Sequence, residues 1–226
     1  MNDPTWRTSG GLTLYDVCRR EGISTLKADI ETLPLGLESA SLDAVVLTEV
    51  IEHLWTDPLH ALKEINRVLK PGGTLIVSTP NKLSARARWK FLLGDIAQVN
   101  ENPLVAFLKR SRVGHMGHLQ LYAPSELQTM LEMLGFTCRT SFTQHNPEVL
   151  YYGVQNAAPT RRPLWRKVIK TPREFGAALT ATTLGWIEQR VPHLRPQLFT
   201  VATKVADGNF EERCATEIDR LVWANE

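Results

Sequence analysis

Two short apolar segments of strand length constrain the fold of this chain more than any other feature. Residues 42–48 (LDAVVLT) and 74–79 (TLIVST) are nearly continuous runs of aliphatic and β-branched side chains. Such runs are typical of strands that are covered on both faces, as in parallel sheets. Residues 58–69 lie between them with apolar side chains at helical spacing, and a Pro-Gly-Gly turn at 71–73 ends this helix. The alternation predicts an α/β domain whose sheet is largely parallel, with helices on both faces.

The remaining segments extend the same alternation. A short amphipathic helix is predicted over 12–21 and a short strand over 24–28. A helix over 124–134 precedes a strand over 136–142, and the last strand is predicted over 197–205. A chain of 226 residues fits one such domain with a modest appendage.

The predicted domain organisation has three parts. Residues 1–27 form a partial lead with a helix, 28–205 form the main domain, and 206–226 form an acidic tail, which is a C-terminal helical appendage. Within the main domain, 82–122 and 143–196 are less regular, and we expect them to be variable regions that contact substrate or act as a lid.

Composition excludes several classes of function. The formal net charge of +2 argues against bulk binding of nucleic acid. No apolar run approaches the roughly 18 residues of a membrane span, and the polar N-terminus has no signal pattern. The three cysteines are scattered without metal-binding spacing, which favours a reducing compartment. We therefore expect a cytoplasmic protein with no nucleic-acid partner and no transmembrane segment.

Four motifs follow one another in a specific order. They are ADIETLPL (28–35), LDAVVLTEVIEHL (42–54), LHALKEINRVLKPGGTLIVSTPN (59–81) and HLQLYAPSELQTMLEMLGF (118–136). In this order and spacing they resemble the class I S-adenosylmethionine-dependent methyltransferase family, of the type 11/23 kind. The resemblance implies a Rossmann-like, doubly wound sheet. It also implies an enzyme that transfers a methyl group from S-adenosylmethionine, most simply to an oxygen of a small molecule or of a glycan or lipid precursor.

The resemblance assigns the cofactor to polar residues at strand ends, where open parallel sheets bind ligands. It implies that the Asp29 carboxylate accepts a hydrogen bond from the adenine amino group and that the backbone N–H of Ile30 meets a ring nitrogen. Thr48 and Glu49 would lie where the methionine end of the cofactor meets the acceptor. Two plainer interpretations stay open, namely Asp29 as a turn or helix cap and Thr48 as a buried polar strand end.

Glu49, Glu52 and His53 have spacings of three and four residues, which place side chains near one face of a helical turn. Two carboxylates and an imidazole can bind a divalent cation such as Mg²⁺ or Mn²⁺. The cluster resembles the metal site of ubiquinone-pathway O-methyltransferases and of small-RNA 2′-O-methyltransferases. That likeness implies His118, or less simply His115, as a further ligand.

Catalysis without metal is the other interpretation of the same cluster. His53, with Glu49 beside it, would then act as a general base or orient the acceptor, because histidine titrates near neutrality.

Two elements of the family pattern are missing from the sequence. A GxGxG loop normally follows the first strand, and an acidic residue that holds the ribose follows the second. We therefore expect a sheet that lacks its first two strands and has one central strand with an open edge. Three explanations compete. The chain is a fragment, or it is a degenerate relative that binds or scaffolds without catalysis, or a partner chain or a dimer covers the edge.

Overall fold

A computed structural model describes residues 13–54, 56–94, 118–144 and 172–207. The predicted acidic tail beyond residue 207 and about half of the predicted variable regions lie outside the described residues. The helices and strands of the described residues, in chain order, are α1 (Leu14–Arg20), β1 (Leu42–Thr48), α2 (Pro58–Val68), β2 (Leu69–Pro80), α3 (Ala85–Leu92), α4 (Pro124–Met133), β3 (Phe136–Gln144), α5 (Pro172–Arg190) and β4 (Gln197–Lys204). Short 3₁₀ turns occupy Ile51–His53 and Pro192–Leu194.

The four strands form one sheet in the order β1–β2–β4–β3. β1 and β2 run parallel, whereas β4 is antiparallel to both of its neighbours. Three of the four strands therefore point in one direction and only β4 is reversed. This is the Rossmann-like α/β arrangement that the sequence predicts, with β1 at an edge of the described sheet.

Helices α2 and α4 cover one face of this sheet. Leu62 and Ile65 of α2 and Leu131 of α4 are buried against Leu75 and Val77 of β2. Burial of each such side chain contributes about 1.5–3 kcal/mol. The packing of α2 and α4 thus fixes the positions at which β1 and β2 end.

α2 begins where its sequence signals predict. Pro58 occupies the first turn, where its missing N–H costs nothing, and the Asp57 carboxylate caps the helix by accepting the backbone N–H of Leu59 at 2.8 Å. No described helix is long and apolar enough to cross a membrane.

The predicted strand over 24–28 is wrong. The structure has no strand between residues 23 and 41, and the side chains of 24–28 are exposed. A strand needs a neighbour for its backbone hydrogen bonds, and no described strand lies beside this segment.

β2 is longer than predicted because it begins ahead of the Pro-Gly-Gly turn. Leu42 pairs with Leu69, and Ala44 then pairs with Thr74. Residues 70–73 have no pairing partner in β1 and form an irregularity within β2. A Cβ on Gly73 would lie 2.8 Å from the carbonyl oxygen of Lys70, so glycine permits this close turn.

A carboxylate on α2 holds the segment that precedes β1. The Glu64 Oε2 accepts the backbone N–H of Leu35 at 3.1 Å and the Arg67 Nη2 at 2.9 Å. Arg67 also donates to the carbonyl oxygen of Leu37 at 2.9 Å. The hydrogen bond from Arg67 lowers the pKa of the Glu64 carboxyl group below its ordinary value.

Glu64→Gln is expected to lower the free energy of unfolding by about 1 kcal/mol near neutral pH, because the charged hydrogen bonds are lost. Since the pKa of Glu64 is lower in the folded state, its contribution is present above the unfolded pKa and disappears as the pH falls through the folded pKa. Urea unfolding at about pH 7 and about pH 3 measures the difference. Glu38→Gln, at an exposed position in the neighbouring segment, is the control. A loss that persists at the acidic pH would contradict this account.

Candidate active site

The carboxyl ends of β1 and β2 meet at one edge of the sheet, with Thr48 paired to Ser78. Thr48 is exposed at this edge, so the interpretation of Thr48 as a buried strand end is wrong. The next residue, Glu49, has a φ of +55°, in the left-handed region, and its N–H donates to the carbonyl oxygen of Ser78 at 3.0 Å. This conformation turns the chain sharply out of β1 and into the 3₁₀ turn Ile51–His53.

The Glu52 carboxylate is fully buried at this edge. Its side chain has no exposed surface, and neither carboxylate oxygen has a hydrogen-bond partner among the described residues. The hydroxyl of Thr79, also fully buried, lies close enough to the carboxylate to lower the pKa of Glu52 slightly. Burial raises the pKa of the Glu52 carboxyl group to about 7, and the negative charge of Glu49 raises it further. Such a group needs either a proton or a cation.

Two imidazoles stand beside that carboxylate. The His53 Nε2 lies 3.9 Å from the Glu52 Oε1, and the ring centroids of His53 and His118 are 4.9 Å apart. The backbone N–H of Leu119 donates to the carbonyl oxygen of Glu52 at 2.8 Å, which holds the His118 segment in place. One potential ligand atom from each of Glu52, His53 and His118 lies within 4.8 Å of the others. A carboxylate with two imidazoles at this spacing is a donor set for a divalent transition-metal ion.

Glu49 does not join this group. Its Oε1 accepts hydrogen bonds from the Ser78 hydroxyl at 3.0 Å and from the Gln197 side-chain amide. The expectation that Glu49 and Glu52 share a face of one helical turn is therefore wrong. The positive φ of Glu49 and the tighter 3₁₀ turn separate the two carboxylates. The structure brings together three of the four predicted ligands, and His115 lies outside the described residues.

The segment predicted to hold adenine lies at the same edge as this cluster. The Thr56 N–H, just ahead of α2, donates to the Glu31 carboxylate at 2.7 Å. Asp29 is exposed, and its carboxylate accepts the Thr32 hydroxyl at 2.7 Å and the Glu31 N–H at 2.9 Å. These bonds lower the pKa of Asp29 and make it a turn cap, as the plainer interpretation proposes. Ile30 is partly buried against the core.

Two residues of the site were not singled out from the sequence. Tyr122 is buried, and burial together with the charge of Glu52 raises the pKa of its hydroxyl to about 12. Gln197 opens β4 and reaches Glu49 only because β4 pairs with β2. No local pattern signals that pairing, since the two strands are separated by more than a hundred residues.

Part of the chain is similar in sequence to known methyltransferases. Residues 13–77 match a family model described as a methyltransferase domain. A Mycolicibacterium smegmatis protein named as a "probable S-adenosylmethionine-dependent methyltransferase" is 52% identical over 50 residues, which is 22% of this chain and 19% of that protein. A Mycobacterium tuberculosis protein of the same description is 44% identical over 62 residues, or 27% of this chain and 22% of that protein.

The chain thus spans about a fifth of the length of the curated relatives it matches. A solved structure of an S-adenosylmethionine-dependent methyltransferase from Archaeoglobus fulgidus is 17% identical, with a TM-score of 0.43, and the match covers 84% of this chain and 80% of that one. The sequence similarity to methyltransferases thus lies within residues 13–77 for the family model and within 50 to 62 residues for the two relatives.

Proposed function

We propose that this chain is an S-adenosylmethionine-dependent methyltransferase that acts on an oxygen of a small molecule or of a glycan or lipid precursor in the cytoplasm. The observation that supports this most is the position of the cluster. His53 stands at the carboxyl edge of two parallel strands, where α/β folds bind their ligands.

The chemistry requires a base and an oriented hydroxyl. Bound S-adenosylmethionine would supply the methyl group. The bond between the methyl carbon and sulfur would break, its electron pair would stay on sulfur, and a bond from the methyl carbon to the acceptor oxygen would form. His53, about a third exposed, would accept the hydroxyl proton on an imidazole nitrogen. Holding the reacting atoms in line supplies much of the rate enhancement in such transfers. We assign the base to His53 rather than Glu49, because two donors already occupy the Glu49 Oε1.

The described residues are compatible with an adenine group beside Asp29. Each oxygen of that carboxylate accepts one hydrogen bond within the turn, and each retains a further acceptor position. The side chain is exposed and lies near the start of α2, so an exocyclic amine can approach it. Asp29 would therefore both cap its turn and bind adenine.

A basic helix beside the site supports an anionic acceptor. Four residues separate the end of β2 from the start of α3, which Ser84 caps and which carries exposed Arg86 and Arg88. Guanidinium groups favour phosphate and carboxylate partners. A phosphate-bearing glycan or lipid precursor fits these charges.

A divalent cation, Mg²⁺ or Mn²⁺, is a second proposal, and it rests on Glu52. The buried carboxylate without a hydrogen-bond partner and the two imidazoles beside it fit such an ion. Glu52, His53 and His118 would hold it, and the ion would lower the pKa of an acceptor hydroxyl bound to it. In that case His53 would serve as a ligand and not as the base.

Calorimetry with S-adenosylhomocysteine tests the principal proposal. We expect saturable binding, weakened about tenfold by Asp29→Asn through the loss of a charged acceptor for the adenine amine. Asp16→Asn is the matched control, because Asp16 also accepts one backbone N–H and one hydroxyl, both from Thr13, at 2.9 Å and 2.7 Å.

Absence of binding at about 500 µM ligand would overturn the proposal of a cofactor-dependent enzyme. It would favour the alternative, a methyltransferase-like protein without catalysis that binds or scaffolds other molecules. Equal weakening by both aspartate substitutions would remove Asp29 from the site.

A further inference from the structure

The Glu49 carboxylate is held by groups on two strands. The buried hydroxyl of Ser78 on β2 and the buried side-chain amide of Gln197 at the start of β4 both donate to its Oε1, the former at 3.0 Å. The Glu49 N–H also donates to the carbonyl oxygen of Ser78. The backbone and the side chain of Glu49 are therefore both fixed, although the residue is exposed at the carboxyl edge of the sheet.

The fold alone does not account for this arrangement. Glu49 has a φ of +55°, a left-handed conformation that costs a residue other than glycine about 1 kcal/mol. Gln197 lies opposite Pro80 in the pairing of β2 with β4, and that pairing uses backbone groups, so it does not need the Gln197 side chain to reach the end of β1. A residue in a strained conformation whose side chain is oriented by two buried donors indicates a functional role.

The second oxygen of Glu49 has no protein partner in the described part of the chain. No group there donates a hydrogen bond to Oε2, and no lysine or arginine forms an ion pair with Glu49. Ser78 and Gln197 are neutral, so they orient the carboxylate without neutralising it. The charge of Glu49 is also close enough to Glu52 to raise the pKa of that carboxyl group. This edge of the sheet therefore has a negative potential that favours a cationic group of a ligand.

We propose that Gln197 is a positioning residue which, with Ser78, fixes Glu49 so that its Oε2 binds the ammonium group at the amino-acid end of S-adenosylmethionine. This assignment rests on the proposed function. The ammonium group carries a positive charge and three N–H donors, and a carboxylate accepts such charged hydrogen bonds strongly. The proposed acceptor molecule is anionic, so the Glu49 carboxylate would repel it. The cofactor is therefore the ligand whose charge fits this position.

Calorimetry of the full chain with two ligands tests the assignment. S-adenosylhomocysteine carries the ammonium group, whereas 5′-methylthioadenosine has the same adenosine and sulfur but no amino-acid end. Glu49→Gln should weaken the binding of S-adenosylhomocysteine at least about tenfold, because the charged hydrogen bond is lost, and that of 5′-methylthioadenosine less than about twofold. Gln197→Leu removes the donor at a similar side-chain volume and should weaken only S-adenosylhomocysteine, by about three- to tenfold.

The double variant distinguishes positioning from direct contact. If Gln197 acts through Glu49, the variant with both substitutions should bind S-adenosylhomocysteine no more weakly than Glu49→Gln alone. Gln144→Leu is the matched control, because Gln144 lies opposite Gln197 on β3, is exposed and should leave both affinities unchanged. Gln197→Asn keeps the polarity of the buried position but withdraws the donor from Glu49, and it replaces the leucine variant where that variant fails to fold.

Failure of the wild-type chain to bind either ligand would overturn the proposed function, and the role of Gln197 with it. Wild-type binding of S-adenosylhomocysteine that Glu49→Gln leaves unchanged would overturn the ammonium site alone. Equal weakening of both ligands by Gln197→Leu would mean that the side chain only supports the fold. Losses that add in the double variant would mean that Gln197 does not act through Glu49, and either of these two results would overturn its positioning role.

Discussion

Glu52→Gln is expected to weaken the binding of Mn²⁺ at least about 100-fold, as measured by calorimetry at about pH 7.5. The substitution keeps the shape of the side chain and removes the charge that would bind the ion. Because the wild-type carboxylate is fully buried without a hydrogen-bond partner among the described residues, a bound cation would be its principal source of neutralisation. The loss should therefore be far larger than that of an exposed acidic residue.

Glu49→Gln is the matched control for this experiment. Its carboxylate is three residues away in sequence but is bonded to Ser78 and Gln197, so Mn²⁺ affinity should change by less than about threefold. His118→Ala should lose affinity as Glu52→Gln does, because it removes the ligand from the other segment. Wild-type protein that takes up no Mn²⁺, or equal loss in the two glutamate variants, would contradict the site.

The metal-free Glu52→Gln protein also separates a folding defect from loss of a ligand. Burial raises the pKa of Glu52 to about 7, so the charged form is disfavoured in the folded state above the unfolded pKa. A neutral amide removes that cost at alkaline pH. We expect a melting temperature at least equal to that of the wild type without metal, and no rise when Mn²⁺ is added.

Gly135→Ala is expected to lower the free energy of unfolding by about 3 kcal/mol or more. Gly135 follows α4 with a φ of +83°, and a Cβ there would lie 2.4 Å from the carbonyl oxygen of Ala206. The clash is with backbone, and that backbone is fixed by the Val205 N–H, which donates to the carbonyl oxygen of Gly135 at 2.9 Å. The clash therefore cannot be relieved by the movement of a flexible side chain.

Gly22→Ala isolates the backbone part of this effect. Gly22 also follows a helix, has a φ of +70° and has no atom within 4 Å of the position of a Cβ. It should cost about 1 kcal/mol, the penalty of a left-handed conformation alone. Urea unfolding of both variants gives the difference. Equal losses would mean that the contact with Ala206 contributes nothing.

The order of strands and helices could be predicted because each element carries its own signal. LDAVVLT and the stripe on α2 are local patterns, and the structure places β1 at Leu42–Thr48, as predicted, and α2 at Pro58–Val68. The prediction of a strand over 24–28 is wrong because strand formation also depends on the rest of the fold. The residues of this segment favour an extended chain, but pairing depends on a neighbour that the local sequence does not contain.

The candidate site was predicted less completely, and one dihedral angle explains most of the difference. The spacing of Glu49, Glu52 and His53 suggests three side chains on one helical face. The left-handed conformation of Glu49 turns its carboxylate toward β4 instead. The approach of His118 was implied by family resemblance, and its physical cause is the hydrogen bond from Leu119 to the carbonyl oxygen of Glu52. Such a contact between distant segments has no signature in sequence spacing.

The position of β4 between β2 and β3 has a consequence for how the chain assembles. In the described sheet β3 pairs only with β4, so β3 stays without a partner until residues 197–204 have been synthesised and have inserted. The Asn81 side chain donates to the carbonyl oxygens of His193 and Arg195. These hydrogen bonds at the end of β2 therefore also form only after residues 193–195 have been synthesised. Contacts this far apart in sequence close slowly. During translation the nascent chain would therefore carry two open strand edges that need chaperone protection or rapid completion.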